Sequence, residues 1–333
     1  MNYHQQVATE KGGSEVLNWQ AFEQSGPSSG QISIKVEAAG VLLADVLWQL
    51  GITPIGPKPP FTPGYDLVGI VDAVGPDTRD YKPGQRVAAL VQFGGYTEYA
   101  VISSEKAVPV PDDLDAIKTA ALTTSYLTAY MLLKHVVTLK PQSSILIHGA
   151  GGGTGAALVE LANHFGHRVY GTASERKHAL VLEKGGVPID YQKVKFEEII
   201  NACEPNGVDL VIDPIGGDVT SRSLSLLSKN GVLVSTAMIS AMQGIGVPIP
   251  LQLLRLFFWS ILNPGKKAFF WDVVAEAEKD LNMYRKSLAE VYRMCVEGII
   301  HPTIDRTLPM KNAAKAQELL LNYAVSGKIV LTT

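Results

Sequence analysis

From Ile147 to Leu158 the chain reads Ile-His-Gly-Ala-Gly-Gly-Gly-Thr-Gly-Ala-Ala-Leu, and the chemistry of this stretch lies in backbone that the glycines leave uncovered. The apolar run Ile145-Leu146-Ile147 fits a strand buried on both faces of a parallel sheet, and the glycines end it abruptly. A helix follows at once, because Ala156, Leu158, Val159, Leu161 and Ala162 suit a face packed on a sheet. The loop therefore brings unpaired N–H groups and the positive end of a helix dipole to one point, which suits a pyrophosphate. On the dinucleotide fingerprint G-x-G-x-x-G, the glycine positions fall on Ala150, Gly152 and Gly155, with Gly153 and Thr154 in the first turn. Gly152 lets a phosphate approach the backbone, and Gly155 lets helix and strand pack closely.

A glycine run alone is as readily an ordinary tight turn, so the elements around it decide. Candidate strands at Arg168–Thr172, Pro188–Tyr191, Val208–Asp213 and Val232–Ser235 recur at about twenty-residue spacing with helical patterns between them. That is a doubly wound α/β pattern. The end of its second strand selects the cofactor, since an acidic residue there accepts ribose hydroxyls and rejects a 2′-phosphate. The register places Ser174 there, followed by Glu175, Arg176 and Lys177. Lys177 is either a ligand of a 2′-phosphate or a solvated helix residue, and a register shifted by one would make Glu175 the acid. His148 titrates near neutrality and so invites a catalytic reading, but its place at a strand end favours a structural one.

The whole chain bounds what surrounds this site. With 333 residues, two domains are expected, and 46% hydrophobic with 18% charged residues is an ordinary globular composition. A net charge of -3 gives no reason to expect nucleic acid as a partner. The two cysteines, Cys203 and Cys295, fall in helical patterns with no metal-ligand spacing, which excludes a disulfide framework and a cysteine-rich zinc site. The polar N-terminus lacks a signal-peptide core, so a cytoplasmic protein is expected. Leu251–Leu262 is the nearest approach to a membrane span, and Arg255 interrupts it.

The first third is β-rich: Gln31–Ala38, Leu67–Val74 and Arg86–Val91 read as strands among frequent Gly-Pro and Pro-Gly pairs, a pattern expected of a partly open barrel. Asp115–Leu139 reads as helical up to Pro141, Tyr284–Gly298 as a helix, and Lys328–Leu331 as a closing strand. Gln243–Phe270, rich in Leu and Phe and bounded by prolines, breaks the α/β rhythm and reads as an apolar insertion. Its Leu251–Trp259 stretch is a substrate lid, a subunit contact, part of the core or a membrane-surface patch, and its few cations make the membrane the least favoured of these.

With the fingerprint following a β-rich segment, several motifs stand in order: Ala38-Ala39-Gly40-Val41 with Asp45, Pro63-Gly64-Tyr65-Asp66 with Gly69, Gly75, Pro83-Gly84-Gln85-Arg86-Val87 and Gly327-Lys328-Ile329-Val330-Leu331. On these the chain resembles the medium-chain dehydrogenase/reductase superfamily over nearly its whole length. Gly171-Thr172-Ala173-Ser174 with Lys177-His178, Pro188-Ile189-Asp190-Tyr191 and Asp213-Pro214-Ile215-Gly216-Gly217 look most like its zinc-free quinone oxidoreductases, the zeta-crystallins, and their vesicle amine transport protein relatives.

The resemblance implies a GroES-like catalytic domain, at 1–123 and 285–333, interrupted by a Rossmann domain at 124–284 that carries the insertion at about 243–270, with the active site in the cleft between them. It implies NADPH held by Thr128, Ala150, Gly152, Gly153, Thr154, Gly155, Ser174, Lys177, Tyr191, Ile215 and Lys328. Zinc enzymes of the superfamily place a cysteine at Leu42 and a His-Glu pair at Tyr65-Asp66, so no metal is expected. The quinone oxidoreductases usually carry Asn at Leu42 and a Tyr near Thr53. Neither is present, so the pocket floor is expected to be more apolar. Tyr65 then becomes a candidate for orienting or protonating substrate, with packing as its other role, and Tyr126 is expected to line the pocket beside Thr128. Asp45 is expected to cap nearby N–H groups.

The implied activity is NADPH-dependent hydride transfer to an apolar quinone or an α,β-unsaturated carbonyl compound, without zinc, in a homodimer or homotetramer. The alternative is a nucleotide-binding protein of the same fold that acts by binding.

Overall fold

A computed structural model describes residues 2–23, 25–53, 56–243 and 248–333; residues 244–247 of the apolar segment therefore lie outside the described residues. The chain forms two compact units, Met1–Gly51 with Ile55–Leu127 and Val273–Thr333, and Ile52–Pro54 with Thr128–Asp272.

The first unit opens with β1 (Asn2–Ala8), β2 (Leu17–Glu23), β3 (Gln31–Val41), α1 (Leu43–Gln49), β4 (Asp66–Val74), β5 (Arg86–Leu90), β6 (Tyr99–Ser103), β7 (Ala107–Pro109) and α2 (Ala116–Thr123). The expected helical stretch is broken at Thr124, and α3 (Ser125–Met131) carries the chain into the second unit. There follow β8 (Ser144–His148), α4 (Gly153–His164), β9 (Arg168–Ala173), α5 (His178–Glu183), β10 (Val187–Asp190) and α6 (Phe196–Cys203). Next come β11 (Val208–Asp213), α7 (Asp218–Ser225), β12 (Leu227–Ser235), α8 (Ile249–Leu262) and β13 (Lys267–Phe270). The first unit is completed by α9 (Val273–Lys279), α10 (Leu281–Val296), β14 (Ile304–Pro309), α11 (Ala313–Leu321) and β15 (Lys328–Thr332).

In the first unit the main sheet runs β14-β15-β3-β4-β5-β7, and β6 also pairs with β3. One edge of β3 serves two partners, β6 over Gln31–Lys35 and β15 over Ala38–Val41, while two register shifts against β4 bend the same strand. Such bulges and partner changes curl a sheet, and this one is the GroES-like, partly open barrel expected from the turn density. Ile32, Ile34, Leu67, Val71 and Val87 fill it.

The second unit holds a six-stranded sheet in the order β10-β9-β8-β11-β12-β13, parallel throughout. This is the Rossmann order, with its reversal between β8 and β11. Leu146, Ile189, Val211 and Leu233 pack the core on one side of the sheet. The segment read as an insertion is more regular than expected, since α8 is a crossover helix and Lys267–Phe270 is the sixth strand. Its leading Lys267 and short length hid that strand from a reading of hydrophobic runs.

The chain returns to the first unit at Val273 rather than at 285. Tyr284 shows one reason: fully buried, its hydroxyl donates to the Lys106 carbonyl at 2.9 Å and accepts from the Leu90 N–H at 3.1 Å. Tyr284→Phe keeps the ring and leaves both backbone groups unpaired, so urea unfolding should show a loss of about 2 kcal/mol.

Candidate functional site

The glycine loop is shaped by three different demands. Gly149 takes φ +68°, which lets β8 turn into the loop. Ala150 then needs no glycine of its own: its N–H bonds to the Thr172 carbonyl at 3.0 Å, and its methyl lies where Gly171 has none, 2.6 Å from where a Cβ at 171 would be. A methyl at Gly155 would overlap the Gly149 carbonyl oxygen, so helix and strand meet backbone to backbone there. Gly152 differs. Its φ of -90° suits any residue, and the nearest atom to an added methyl is the Gly149 oxygen at 3.5 Å. Among the described residues no other non-neighbouring atom comes within 4 Å of that position, and open space there is the property a phosphate cradle requires. The Ala156 N–H closes on the Gly152 carbonyl at 2.8 Å, and helix geometry leaves the N–H groups of Gly153, Thr154 and Gly155 without acceptors in their own helix. These amides and the dipole of α4 converge on one point.

Beside this loop stands the end of β9, where the sequence reading expects the choice of nucleotide. β9 ends at Ala173, Ser174 follows, and the Lys177 N–H closes a turn on the Ser174 carbonyl at 2.8 Å. The stem of Lys177 lies over Gly151, where an added methyl would fall 2.6 Å from its Cβ. Gly151 thus brings Lys177 against the phosphate loop, a role the sequence reading missed although the residue stands inside the run. Glu175, the alternative acid, is paired with Lys193 at 2.7 Å. Tyr191 follows β10 and is 52% exposed. Ile215 is set by Asp213, which is fully buried and accepts from the Ile215 and Gly216 N–H groups at 2.7 and 3.1 Å and from the Thr220 hydroxyl at 2.5 Å. Because β8 and β11 are parallel neighbours at the order reversal, the Ala150–Gly152 and Pro214–Gly217 loops lie at the same end of the sheet. Thr128 is buried in α3 of the same unit.

His148 is structural. Its ring is buried with Nδ1 3.0 Å from the Thr172 hydroxyl and Nε2 2.8 Å from the Ser223 hydroxyl, and Ser223 spends its one proton on the Val219 carbonyl at 2.7 Å. The donor count therefore assigns the proton to Nε2 and makes Nδ1 the acceptor. Burial holds the imidazole below its ordinary pKa, with Asp213 opposing, so it stays neutral.

In the first unit, Asp45 exceeds its expected role. It accepts from the Leu42 N–H at 2.9 Å, from the Gly64 N–H at 3.2 Å and from the Tyr96 hydroxyl at 2.7 Å, which ties α1 to the turn before Tyr65. Burial pushes its carboxyl up to about 6 against the pull of those hydrogen bonds. Tyr65 is buried and its hydroxyl oxygen accepts from Trp48 Nε1 at 3.3 Å. Tyr126 donates to the His301 carbonyl at 3.1 Å. Lys328 is 3% exposed, its Nζ has no hydrogen-bond partner among the described residues, and its end packs against Gly40. Burial lowers its pKa while Asp66 and Asp45 oppose the shift. Asp66 is held by the Gly40 N–H at 2.5 Å and by the Thr124 hydroxyl. Among the described residues no three His, Cys, Asp or Glu side chains gather as a metal site would need. Tyr65, Tyr126 and Lys328 thus belong to one unit, and Thr128, the glycine loop, Ser174, Lys177, Tyr191 and Ile215 to the other.

Residues 28–112 match the alcohol dehydrogenase GroES-like domain family, and residues 186–331 the family described as zinc-binding dehydrogenase. The quinone oxidoreductase of Lama guanicoe is 34% identical over 97% of this chain and 95% of its own length. The chain belongs to the zinc-free quinone oxidoreductase and vesicle amine transport protein branch of the medium-chain dehydrogenase/reductase superfamily. A synaptic vesicle membrane protein VAT-1 homolog of Danio rerio is 30% identical over 99% of this chain and 70% of its own. The crystal structure of Escherichia coli quinone oxidoreductase complexed with NADPH matches with a TM-score of 0.90 at 25% identity, covering 99% of this chain and 100% of that one. Quinone oxidoreductases among its relatives place the chain with the oxidoreductases of the superfamily.

For this superfamily member the tightest constraint in the loop is Gly155. Gly155→Ala should force helix and strand apart and cost about 2 kcal/mol or more, read as a lowered thermal midpoint.

Proposed function

We propose that this protein is an NADPH-dependent, zinc-independent reductase that passes hydride to a quinone or to the β-carbon of an α,β-unsaturated carbonyl compound. The observation that carries the reading is the open space at Gly152, facing the amide-rich start of α4, with the stem of Lys177 laid over the neighbouring Gly151. The relative solved with NADPH supports the cofactor. When bound, NADPH supplies the hydride.

The chain does the rest. The N–H groups of Gly153, Thr154 and Gly155 take the pyrophosphate, Lys177 and Ser174 take the 2′-phosphate side, and Tyr191, Ile215, Thr128 and Lys328 complete the cofactor contacts. A quinone or activated alkene accepts hydride without a Lewis acid, which agrees with an aliphatic side chain at Leu42. Tyr65 is the candidate proton donor, with Trp48 Nε1 donating to its hydroxyl oxygen. The Tyr126 hydroxyl, donated to His301, positions the helix rather than the substrate.

The test is NADPH oxidation across a panel of quinones and enones, with binding measured alongside. Steady hydride transfer is expected; tight NADPH binding without turnover anywhere on the panel would leave a protein that acts by binding. Lys177→Ala should lose about 1.5–3 kcal/mol of NADPH affinity, roughly ten- to a hundred-fold, with little change for NADH. Equal weakening of both nucleotides would remove Lys177 from the 2′-phosphate.

A further inference from the structure

The GroES-like unit holds Tyr65 at both ends. Its carbonyl accepts from the Val91 N–H at 2.8 Å and the Gln92 N–H at 3.1 Å, which ties its backbone to the end of β5. At the other end the hydroxyl oxygen accepts from Trp48 Nε1 at 3.3 Å. Asp45 and Trp48 stand three residues apart on α1, hence on one face of that helix, and Asp45 accepts from the Gly64 N–H at 3.2 Å. One helix face therefore grips Gly64 by its amide and Tyr65 by its hydroxyl. Gly64 itself takes φ +111°, and a methyl there would fall 2.6 Å from the Gly95 Cα and the Tyr96 nitrogen, so only glycine brings the turn this close.

The indole is held in its turn. Its ring meets Phe93 edge-on with centroids 5.4 Å apart, and Phe93 meets Phe61 in the same way at 5.9 Å. The backbone beneath these rings is fixed, since Phe61 exchanges two hydrogen bonds with Ala8, at 2.8 and 3.2 Å, and the Gly94 N–H closes on the Thr62 carbonyl at 2.8 Å. Tyr65 is buried, whereas Trp48, Phe93 and Phe61 are half-buried and keep part of their surface open in a row that ends at the phenol.

A hydroxyl fixed in this way serves one acceptor class more than the other. A quinone gains an aromatic ring on taking hydride, and its product is a delocalised phenolate that water protonates. An α,β-unsaturated carbonyl compound that takes hydride at its β-carbon loses its C=C π bond, and that electron pair moves to the carbonyl oxygen as an enolate. A hydroxyl aimed at that oxygen binds it more strongly as the charge develops, which lowers the barrier. Tyr65 then gives its proton to the enolate oxygen, the Trp48 N–H donates to the phenolate left behind, solvent returns the proton, and the enol passes to the saturated carbonyl compound. The Asn and Tyr usual in quinone oxidoreductases are missing at Leu42 and near Thr53, and the Trp48–Tyr65 pair is a polar arrangement of another kind.

We propose that the substrate is an α,β-unsaturated carbonyl compound and that Trp48 is a positioning residue, acting through the Tyr65 hydroxyl. The proposal rests on the reductase reading above.

The experiment compares Trp48→Phe, Tyr65→Phe and the double variant on an enone, benzylideneacetone, and on a quinone, menadione. Trp48→Phe keeps a ring against Phe93 and drops the N–H. Its kcat on the enone should fall about tenfold with KM within about twofold, the enone-to-quinone ratio of kcat should fall at least about fivefold, and the double variant should be no slower than Tyr65→Phe. Phe93→Leu, which loosens the indole from behind, should show the same split in smaller measure and keeps the test in force if Trp48→Phe lowers the thermal midpoint. Binding of para-nitrophenolate, a flat oxyanion like the enolate, is read from its absorbance with no nucleotide present. It should weaken about tenfold in each single variant at Trp48 and Tyr65, and no further in the double. Equal losses on enone and quinone, additive losses in the double variant, or nitrophenolate bound as the parent binds it would each overturn the proposal and leave the reductase reading standing. A parent that oxidises NADPH with neither acceptor fails the reductase reading, and the proposal falls with it.

Discussion

The backbone contact between α4 and β8 at Gly155 is the constraint on which the rest of the candidate site depends. A single methyl there would strike the Gly149 carbonyl, so the helix can approach its strand only as glycine. That approach fixes where the first turn of α4 points its amides, and hence where an anion can sit. The other adjustments follow from it. Gly149 supplies the turn, Gly171 yields room for Ala150, and Gly151 admits the stem of Lys177. Four glycines and one alanine thus do four separate jobs around a fifth glycine, Gly152, which has open space beside it.

The two units divide the chemistry. The Rossmann unit presents amides and a cation, groups that hold a nucleotide but move no proton at neutral pH; its one buried histidine is locked neutral between two hydroxyls. The GroES-like unit holds buried ionisable groups instead: burial raises the Asp45 carboxyl and the Tyr96 phenol above their ordinary ranges and lowers the Lys328 ammonium. In that unit the buried Tyr65 stands beside a donor, Trp48 Nε1, that orients its hydroxyl.

Much of this was legible in the sequence because it depends on local pattern. The apolar runs of β8 and β11, the glycine loop and the order of motifs along the chain gave the Rossmann sheet and the family. What escaped depended on partners distant in sequence. Nothing near Gly171 announces that it faces Ala150, and nothing near Asp45 announces that Tyr96 and Gly64 share it. β13 is only four residues long with a lysine at its start, so its strand character comes from pairing with β12 rather than from its own composition. The break at Thr124 has a similar origin, since its hydroxyl is committed to Asp66, across 58 positions of sequence.

The central claim is that the space at Gly152 belongs to a dinucleotide phosphate rather than to the protein. Titration calorimetry of NADPH with Gly152→Ala, beside its thermal midpoint, tests it most directly. The account predicts a midpoint within a degree or so of the parent, since an exposed-side methyl in an allowed conformation costs little, and NADPH affinity reduced by roughly a hundred-fold as the methyl meets the phosphate. Undiminished NADPH affinity in a variant that folds as the parent does would contradict it.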